Sequence, residues 1–426
     1  MSPQQSKVFQ LAGTCNNYEW GRKGRDSLAA RLCANTPGGG FEPDDARHYS
    51  EMWFGDYPDF PARVLETGEP LRDVLDRHRD ALLGPKVVRD LGARLPYLPK
   101  ILSIAKALPL QIHPDKALAA RLHERDPAAF TDPNHKPEIA VALGPFEVFA
   151  GFKPLDRISP AFNLPALRRF VPDGAAAAPW TDDTLREVVR RLLLADEAAV
   201  ERAAAAVAAA LRGDDDADAP LLSSLLGPDE AARLADLLPR LQGQYGPGDP
   251  GTLVALLCMN FLTLSAGDAL YIPADGIHAY LSGDIVECMA RSNNVLNTGF
   301  CAPADRHNVD LFTGALTFAA HSEADVLLPP QPSPRGARGR TVVYPPPLSE
   351  FDMLKTDLTA SGGDQGTEVI RAGEGPAVAI VTDGEGVLEA DGKRFDVKAG
   401  YIWFVAPGVE AKWETSSTLQ VFTTVV

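Results

Sequence analysis

Three stretches hold side chains able to bind a divalent cation: Gln111-Ile112-His113-Pro114-Asp115-Lys116, Asn134-His135-Lys136-Pro137-Glu138 and Gly276-Ile277-His278. In a strand, residues two apart project from one face, about 6.6 Å apart along the chain. Gln111 and His113 can then converge on one ion while Ile112 faces the opposite layer. Pro137 and the apolar run Ile139-Ala140-Val141-Ala142-Leu143 direct Glu138 inward. Taken singly, each histidine also reads as a buried, hydrogen-bonded core residue, and Glu138 as a surface carboxylate.

The elements that must position these groups alternate in character along the chain. From Val8 to about Lys153, short apolar runs such as Phe146-Glu147-Val148-Phe149 are broken by Gly and Pro, which favours strands and loops. Helices are expected near Leu71 to Leu83 and near Lys116 to Arg125, the second starting just after Pro114. Between Asp182 and Leu241, Ala, Leu, Arg and acidic residues dominate, and Leu185 to Leu194 has the spacing of one apolar helical face. Asp214-Asp215-Asp216-Ala217-Asp218 reads as a solvated loop between helices. Calcium binding is the sharper alternative, but the EF-hand spacing is missing. Strands return at Leu270-Tyr271-Ile272 and Asp284-Ile285-Val286-Glu287-Cys288. A Pro-rich connector then leads to short strands set apart by turn signals, including Asp383-Gly384 and Asp391-Gly392, in the rhythm of a small antiparallel jelly roll.

Gly267 to Pro273 followed by Gly276-Ile277-His278 resembles the second half of the cupin signature, whereas the Gly400 to Pro407-Gly408 hairpin brings no His and predicts a metal-free second jelly roll. Four further stretches carry a more specific resemblance: Tyr49-Ser50-Glu51-Met52-Trp53-Phe54-Gly55, Gln111 to Lys116, His135-Lys136-Pro137-Glu138, and Asp284 through Arg291-Ser292-Asn293-Asn294. Together, and in this order, they resemble the type I phosphomannose isomerase family over about Cys15 to Phe318. The resemblance implies a mainly β protein with a helical insert: two cupin-like jelly rolls plus an α-helical domain. The expected division is 1–157 with 260–325 as the metal-binding unit, 158–259 as the helical insertion and 326–426 as the metal-free jelly roll. It also implies interconversion of mannose 6-phosphate and fructose 6-phosphate, feeding mannose activation for glycan synthesis, with one Zn2+ held by Gln111, His113, Glu138 and His278. Two imidazoles, one carboxylate and one amide oxygen form an N/O shell suited to zinc, with room for water or sugar oxygens.

Moving hydrogen between C1 and C2 needs a positioned base. Glu287 is the candidate proton shuttle, with a salt-bridged strand carboxylate as the competing reading. Lys136 joins it as a catalytic candidate. Lys100, Tyr280, Asn297 and Arg306 are candidate substrate contacts: Lys100 and Lys136 for a local positive field, Tyr280 because it lies two beyond His278. Many family members carry an Arg where this chain has Asn297 and a Lys shortly after, which is absent here, so Arg306 is the candidate replacement charge. Trp20, Trp53 and Glu51 fit the family's N-terminal motifs or pack the barrel.

The formal net charge of −16 argues against nucleic acid and anionic membrane surfaces as partners. A small sugar phosphate remains compatible, because a few local lysines outweigh distant charge beyond a screening length of roughly 8 Å. The chain has no long apolar run and no leader pattern, so a cytoplasmic monomer is expected. Cys15, Cys33, Cys258, Cys288 and Cys301 form no C-x-x-C pair and read as reduced packing residues. Two His and a carboxylate also suit an Fe(II) oxygenase, and a metal-retaining, non-catalytic sugar binder is the other alternative.

Overall fold

Apolar runs broken by Gly and Pro become strands here, and the Ala/Leu/Arg-rich stretch becomes helices. The computed structural model describes residues 6–175, 178–212, 222, 225–362 and 365–426. The acidic run Asp214–Asp218 lies outside the described residues. Among those described, no helix is long and apolar enough to cross a membrane.

One antiparallel sheet carries Gln111, Glu138 and His278, and His113 follows directly after its short strand Leu110–Ile112. Its main path runs Met259–Leu264, Phe146–Phe152, His278–Ala290, Tyr97–Ile104, Glu51–Trp53, Thr14–Asn16. The short strands Leu110–Ile112, Glu138–Ala142, Ala269–Ile272 and Leu296–Gly299 complete it. The long strand His278–Ala290 is its hub. Its first part pairs with Phe146–Phe152 and its second with Tyr97–Ile104 on one side and Glu138–Ala142 on the other.

His278 and Glu287 are nine residues apart, and in a flat strand an odd separation puts two side chains on opposite faces. A β-bulge resolves this: Glu147 pairs with Ser282 but its neighbour Val148 pairs with Tyr280, so one extra residue is taken up at Leu281. The bulge reverses the inward-facing parity, so Tyr280 from before it and Ile285 from after it share one apolar cluster. Just after it Gly283 adopts φ +124°, and a Cβ there would lie 2.5 Å from Pro145 O.

The helices Asp182–Leu193, Glu197–Arg212, Pro228–Tyr245 and Pro250–Cys258 cover the sheet's outer side. The first buries Leu185, Val188, Val189 and Leu192, the face read from the sequence. These pack in one core with Phe149, Ile277 and Leu296 from the strands. The helix expected over Leu71–Leu83 is two, Leu71–Arg77 and Arg79–Leu82, interrupted at His78. Lys116–Arg125 forms as expected, its start capped by Asp115, which accepts from Leu118 N–H at 2.7 Å.

The second antiparallel sheet contains Asp352–Thr359, Thr418–Val425, Ala377–Ala390 and Ile402–Val405. Val8–Ala12 joins its edge beside Ile402–Val405, with Phe9 stacked on Phe404 at 4.8 Å, so pairing crosses the division expected from chain order. Asp383-Gly384 is no chain reversal. The strand runs through it with a register shift, because Gly384 at φ +80° accommodates the close passage of the Thr418 backbone. Asp391-Gly392, both at positive φ, does turn the chain into Lys393–Lys398.

Candidate metal centre

Strand register brings the ligand motifs together. His278 pairs with Gln111 across the sheet, and Glu138 lies opposite Met289 and Ile272. His113 follows directly after the strand Leu110–Ile112. His113, Glu138 and His278 are all buried, and their ligand atoms lie within 4.8 Å of one another. His113 Nε2 is 3.2 Å from Glu138 Oε1, and His278 Nε2 is 3.6 Å from Glu138 Oε2. Gln111 Nε2 is 3.2 Å from His278 Nε2. Turning that amide over would place its oxygen in the same position, an exchange of near-isosteric atoms.

The two imidazoles are prepared as ligands. His113 Nδ1 meets Asn294 O at 2.8 Å and His278 Nδ1 meets Gly276 O at 2.9 Å. A backbone carbonyl accepts only from N–H, so each ring carries its proton on Nδ1 and turns an Nε2 lone pair inward. His113 Nε2 is buried with no hydrogen-bond partner. Burial holds His113 below the usual histidine range and takes His278 down to about 4, so both rings are neutral at physiological pH. Burial alone would push Glu138 up, but the Lys136 ammonium at 2.8 Å pulls its carboxyl well below the ordinary value.

Next to the ligands lies a second buried charge cluster. Lys100 Nζ is 3.5 Å from Glu287 Oε2 and 3.6 Å from Glu51 Oε1, and sits 4.2 Å over the Trp53 ring. Glu51 Oε2 accepts from Asn16 Nδ2 and Trp53 Nε1, each at 2.7 Å. With the imidazoles neutral, three buried carboxyl groups (Glu51, Glu138, Glu287) face two buried ammonium groups (Lys100, Lys136). The converging nitrogen and oxygen donors, with the orphaned His113 Nε2, fit a divalent cation. Glu287 is pushed up to about 8 by burial and by the Glu138 charge, against the pull of Lys100.

The other expected site residues are placed as follows. Tyr280 donates to Glu138 Oε2 at 3.1 Å, so its hydroxyl serves the ligand carboxylate. Asn297 pairs with Gln111 across the sheet, and its Oδ1 is buried without a partner. Arg306 is turned elsewhere, its Nη2 2.9 Å from Asp249 Oδ2. Asp249 itself caps the helix Pro250–Cys258 and accepts from Phe300 N–H, so the pair ties the 300–306 loop to that helix. His123 is half-buried, with its Nδ1 2.7 Å from Phe130 O. Sequence reasoning missed Asn16 and Asn294. Asn16 has no motif of its own to signal it, and Asn294 acts on His113 through its main-chain carbonyl, which any residue type supplies.

The profile of the type I phosphomannose isomerase catalytic domain matches residues 8–155. A mannose-6-phosphate isomerase of Cryptococcus neoformans is 35% identical over 445 residues, covering 99% of this chain and 99% of its own. That of Saccharomyces cerevisiae is 33% identical over 433 residues, covering 98% of this chain and 99% of its own. Among solved structures, apo mannose 6-phosphate isomerase from Salmonella typhimurium superposes with a TM-score of 0.78 at 23% identity, over 99% of both chains. A mannose 6-phosphate isomerase bound with zinc and yttrium gives 0.77 at 24% identity, over 98% of this chain and 99% of that one. At such identities these two establish the cupin-type fold, and the full-length relatives establish the family: the chain belongs to the type I phosphomannose isomerases.

Proposed function

We propose that this chain is a zinc-dependent aldose-ketose isomerase that interconverts mannose 6-phosphate and fructose 6-phosphate. The observation that carries this is the buried His113–Glu138–His278 group with both Nε2 lone pairs turned inward, in a chain alike over its whole length to proteins named mannose-6-phosphate isomerase. Gln111 completes the ligand set. The bound cation supplies electrostatic stabilisation of negative charge developing on the sugar oxygens.

The protein's own groups supply the rest. Glu287, at about 8, is matched to proton transfer near neutral pH and is the group we assign to carry the proton between C1 and C2. Lys100 orients it, held in turn by Glu51. Lys136 keeps Glu138 ionised as a ligand. Asn297, beside Gln111, is assigned to the sugar. A phosphate contact from Arg306 would compete with Asp249, so we assign that guanidinium to holding the 300–306 loop. The chain divides functionally into the ligand-bearing jelly roll, the helical insertion and the C-terminal jelly roll, and acts as a cytoplasmic monomer.

The deciding experiment incubates the zinc-loaded protein with mannose 6-phosphate, and in parallel with unphosphorylated mannose, in deuterated water. Fructose 6-phosphate carrying solvent deuterium is expected. Failure of the zinc-loaded protein to convert either sugar removes the proposal, and conversion of mannose alone removes the sugar-phosphate assignment.

A further inference from the structure

One carboxylate outside the ligand set joins the loop that leads into Glu138 to the loop that follows the strand His278–Ala290. Asp132-Pro133-Asn134 turns the chain just ahead of the ligand strand: Asp132 Oδ1 accepts from Asn134 N–H at 3.0 Å, across a proline whose fixed φ suits the turn. The other carboxylate oxygen reaches away from the turn. Asp132 Oδ2 accepts from Tyr57 O–H at 2.8 Å and from Asn293 N–H at 2.9 Å. The Asp132 main-chain oxygen accepts from Asn294 Nδ2 at 2.7 Å. Three segments far apart in the sequence meet on this residue.

We propose that Asp132 is a positioning residue for the metal centre: its carboxylate locks the 291–294 loop to the 132–134 turn, and so fixes the aim of His113 and the reach of Lys136. The assignment rests on the zinc-site reading above and deepens it.

The path to His113 is short. Asn294 O accepts from His113 Nδ1–H at 2.8 Å, and Asp132 holds this carbonyl's own residue and the one before it. Without the Asp132 carboxylate, Asn293 N–H and Tyr57 O–H lose an acceptor, and the Asn294 carbonyl is freer to turn. The path to Glu138 runs through the turn. Asn134 O accepts from Ser292 Oγ at 3.0 Å and from Asn294 Nδ2 at 3.1 Å, while Asn134 Nδ2 donates to Arg291 O at 2.9 Å. Lys136, two residues on, reaches Glu138 Oε1 at 2.8 Å. Tyr57 backs the junction from its third side. Its buried ring packs edge-on to Trp53 at 6.0 Å and lies 5.1 Å from the guanidinium of Arg291, which pairs with the buried Asp56. Asp132 thus acts on an imidazole ligand and a carboxylate ligand through the groups that hold them. Such outer partners typically carry 10- to 100-fold in metal affinity.

The test titrates the full-length, metal-free protein with zinc against a chromophoric chelator, in the cold and well below unfolding. Asp132→Ala should raise the zinc dissociation constant about 10- to 100-fold. Asp132→Asn keeps one acceptor oxygen and should fall between that variant and the unaltered chain. Asp126→Ala is the control, because Asp126 closes a turn in the same loop by accepting from Ala129 N–H at 3.1 Å, on the exposed side. It should leave zinc affinity unchanged. A merely structural role for Asp132 would lower the thermal midpoint of the metal-free protein and leave zinc affinity where it was. Unchanged affinity in Asp132→Ala therefore overturns the proposal, as does equal weakening in Asp126→Ala. Should Asp132→Ala not fold, unchanged affinity in Asp132→Asn overturns it. An unaltered chain that binds no zinc removes the zinc-site reading and this assignment together, whereas equal binding by the unaltered chain and the variants removes this assignment alone.

Discussion

Lys100 and Glu287 face each other across neighbouring strands at 3.5 Å, yet Glu287 titrates near 8 rather than in the ordinary carboxylate range. An ion pair usually lowers a carboxyl. Here Lys100 is shared with Glu51 at 3.6 Å, and burial together with the Glu138 charge outweighs what remains. Glu287→Gln keeps the shape and removes the proton carrier. We expect kcat to fall about 10²- to 10⁴-fold while bound zinc stays unchanged. Full metal content measured alongside undiminished kcat would return Glu287 to a structural role.

In the metal-free protein the two buried groups His278 and Glu287 make stability depend on pH with opposite signs. His278 is depressed to about 4 by burial, so its contribution is present above the unfolded histidine value and lost as pH falls through 4. That loss is on the order of 3 kcal/mol for the fully buried ring. Glu287 is raised to about 8, so its contribution is present at low pH and lost as pH rises from the unfolded value through 8. Thermal midpoints of the chelated protein should be level between about pH 4.5 and 6.5, where the two slopes offset, and fall from there to about 8, whereas Glu287→Gln should remove the fall and let the midpoint rise with pH up to the unfolded histidine value. A profile unchanged by that substitution would show that other groups set the loss between about pH 6.5 and 8.

Much of this site is legible in the amino-acid sequence, because ligand chemistry restricts residue type and strand spacing restricts direction. Gln111, His113, Glu138 and His278 converge as their motifs imply. What the sequence hides is partnership. Nothing in Tyr280 or Arg306 announces that their polar ends go to Glu138 and Asp249, which are 142 and 57 residues away. Likewise, Val8–Ala12 has the pattern of a buried strand in either sheet, and only long-range pairing decides that it borders Ile402–Val405. Asp383-Gly384 misleads for a related reason: a glycine that opens a turn and one that makes room for a passing backbone look the same in sequence.

If Arg306 ties a loop to a helix, Arg306→Ala should cost stability and spare substrate affinity. Removing it leaves the buried Asp249 carboxylate with backbone donors alone, a loss of about 3 kcal/mol. KM for mannose 6-phosphate should stay within about twofold. Denaturant unfolding and steady-state kinetics on the same preparation decide the matter. A large rise in KM with unchanged stability would move Arg306 into the substrate site.

Gly283 gives the sharpest link between backbone and chemistry. At φ +124° an added Cβ is strained in its own right, and it would press against Pro145 O. Gly283→Ala should therefore destabilise the fold by about 2–4 kcal/mol. The same change tests the parity argument. The bulge at Leu281 lets His278 and Glu287 face one interior although nine residues separate them, and strain at Gly283 two residues on should disturb it and swing one away from the other. Zinc affinity depends on His278 and proton transfer on Glu287, so one of the two should weaken more than the loss of folded protein explains. Activity per folded, zinc-loaded molecule is the measure, with Gly144→Ala, where an added Cβ meets no atom within 4 Å, as the control. Equal specific activity in the Gly283 variant would mean that the bulge holds both residues inward without Gly283.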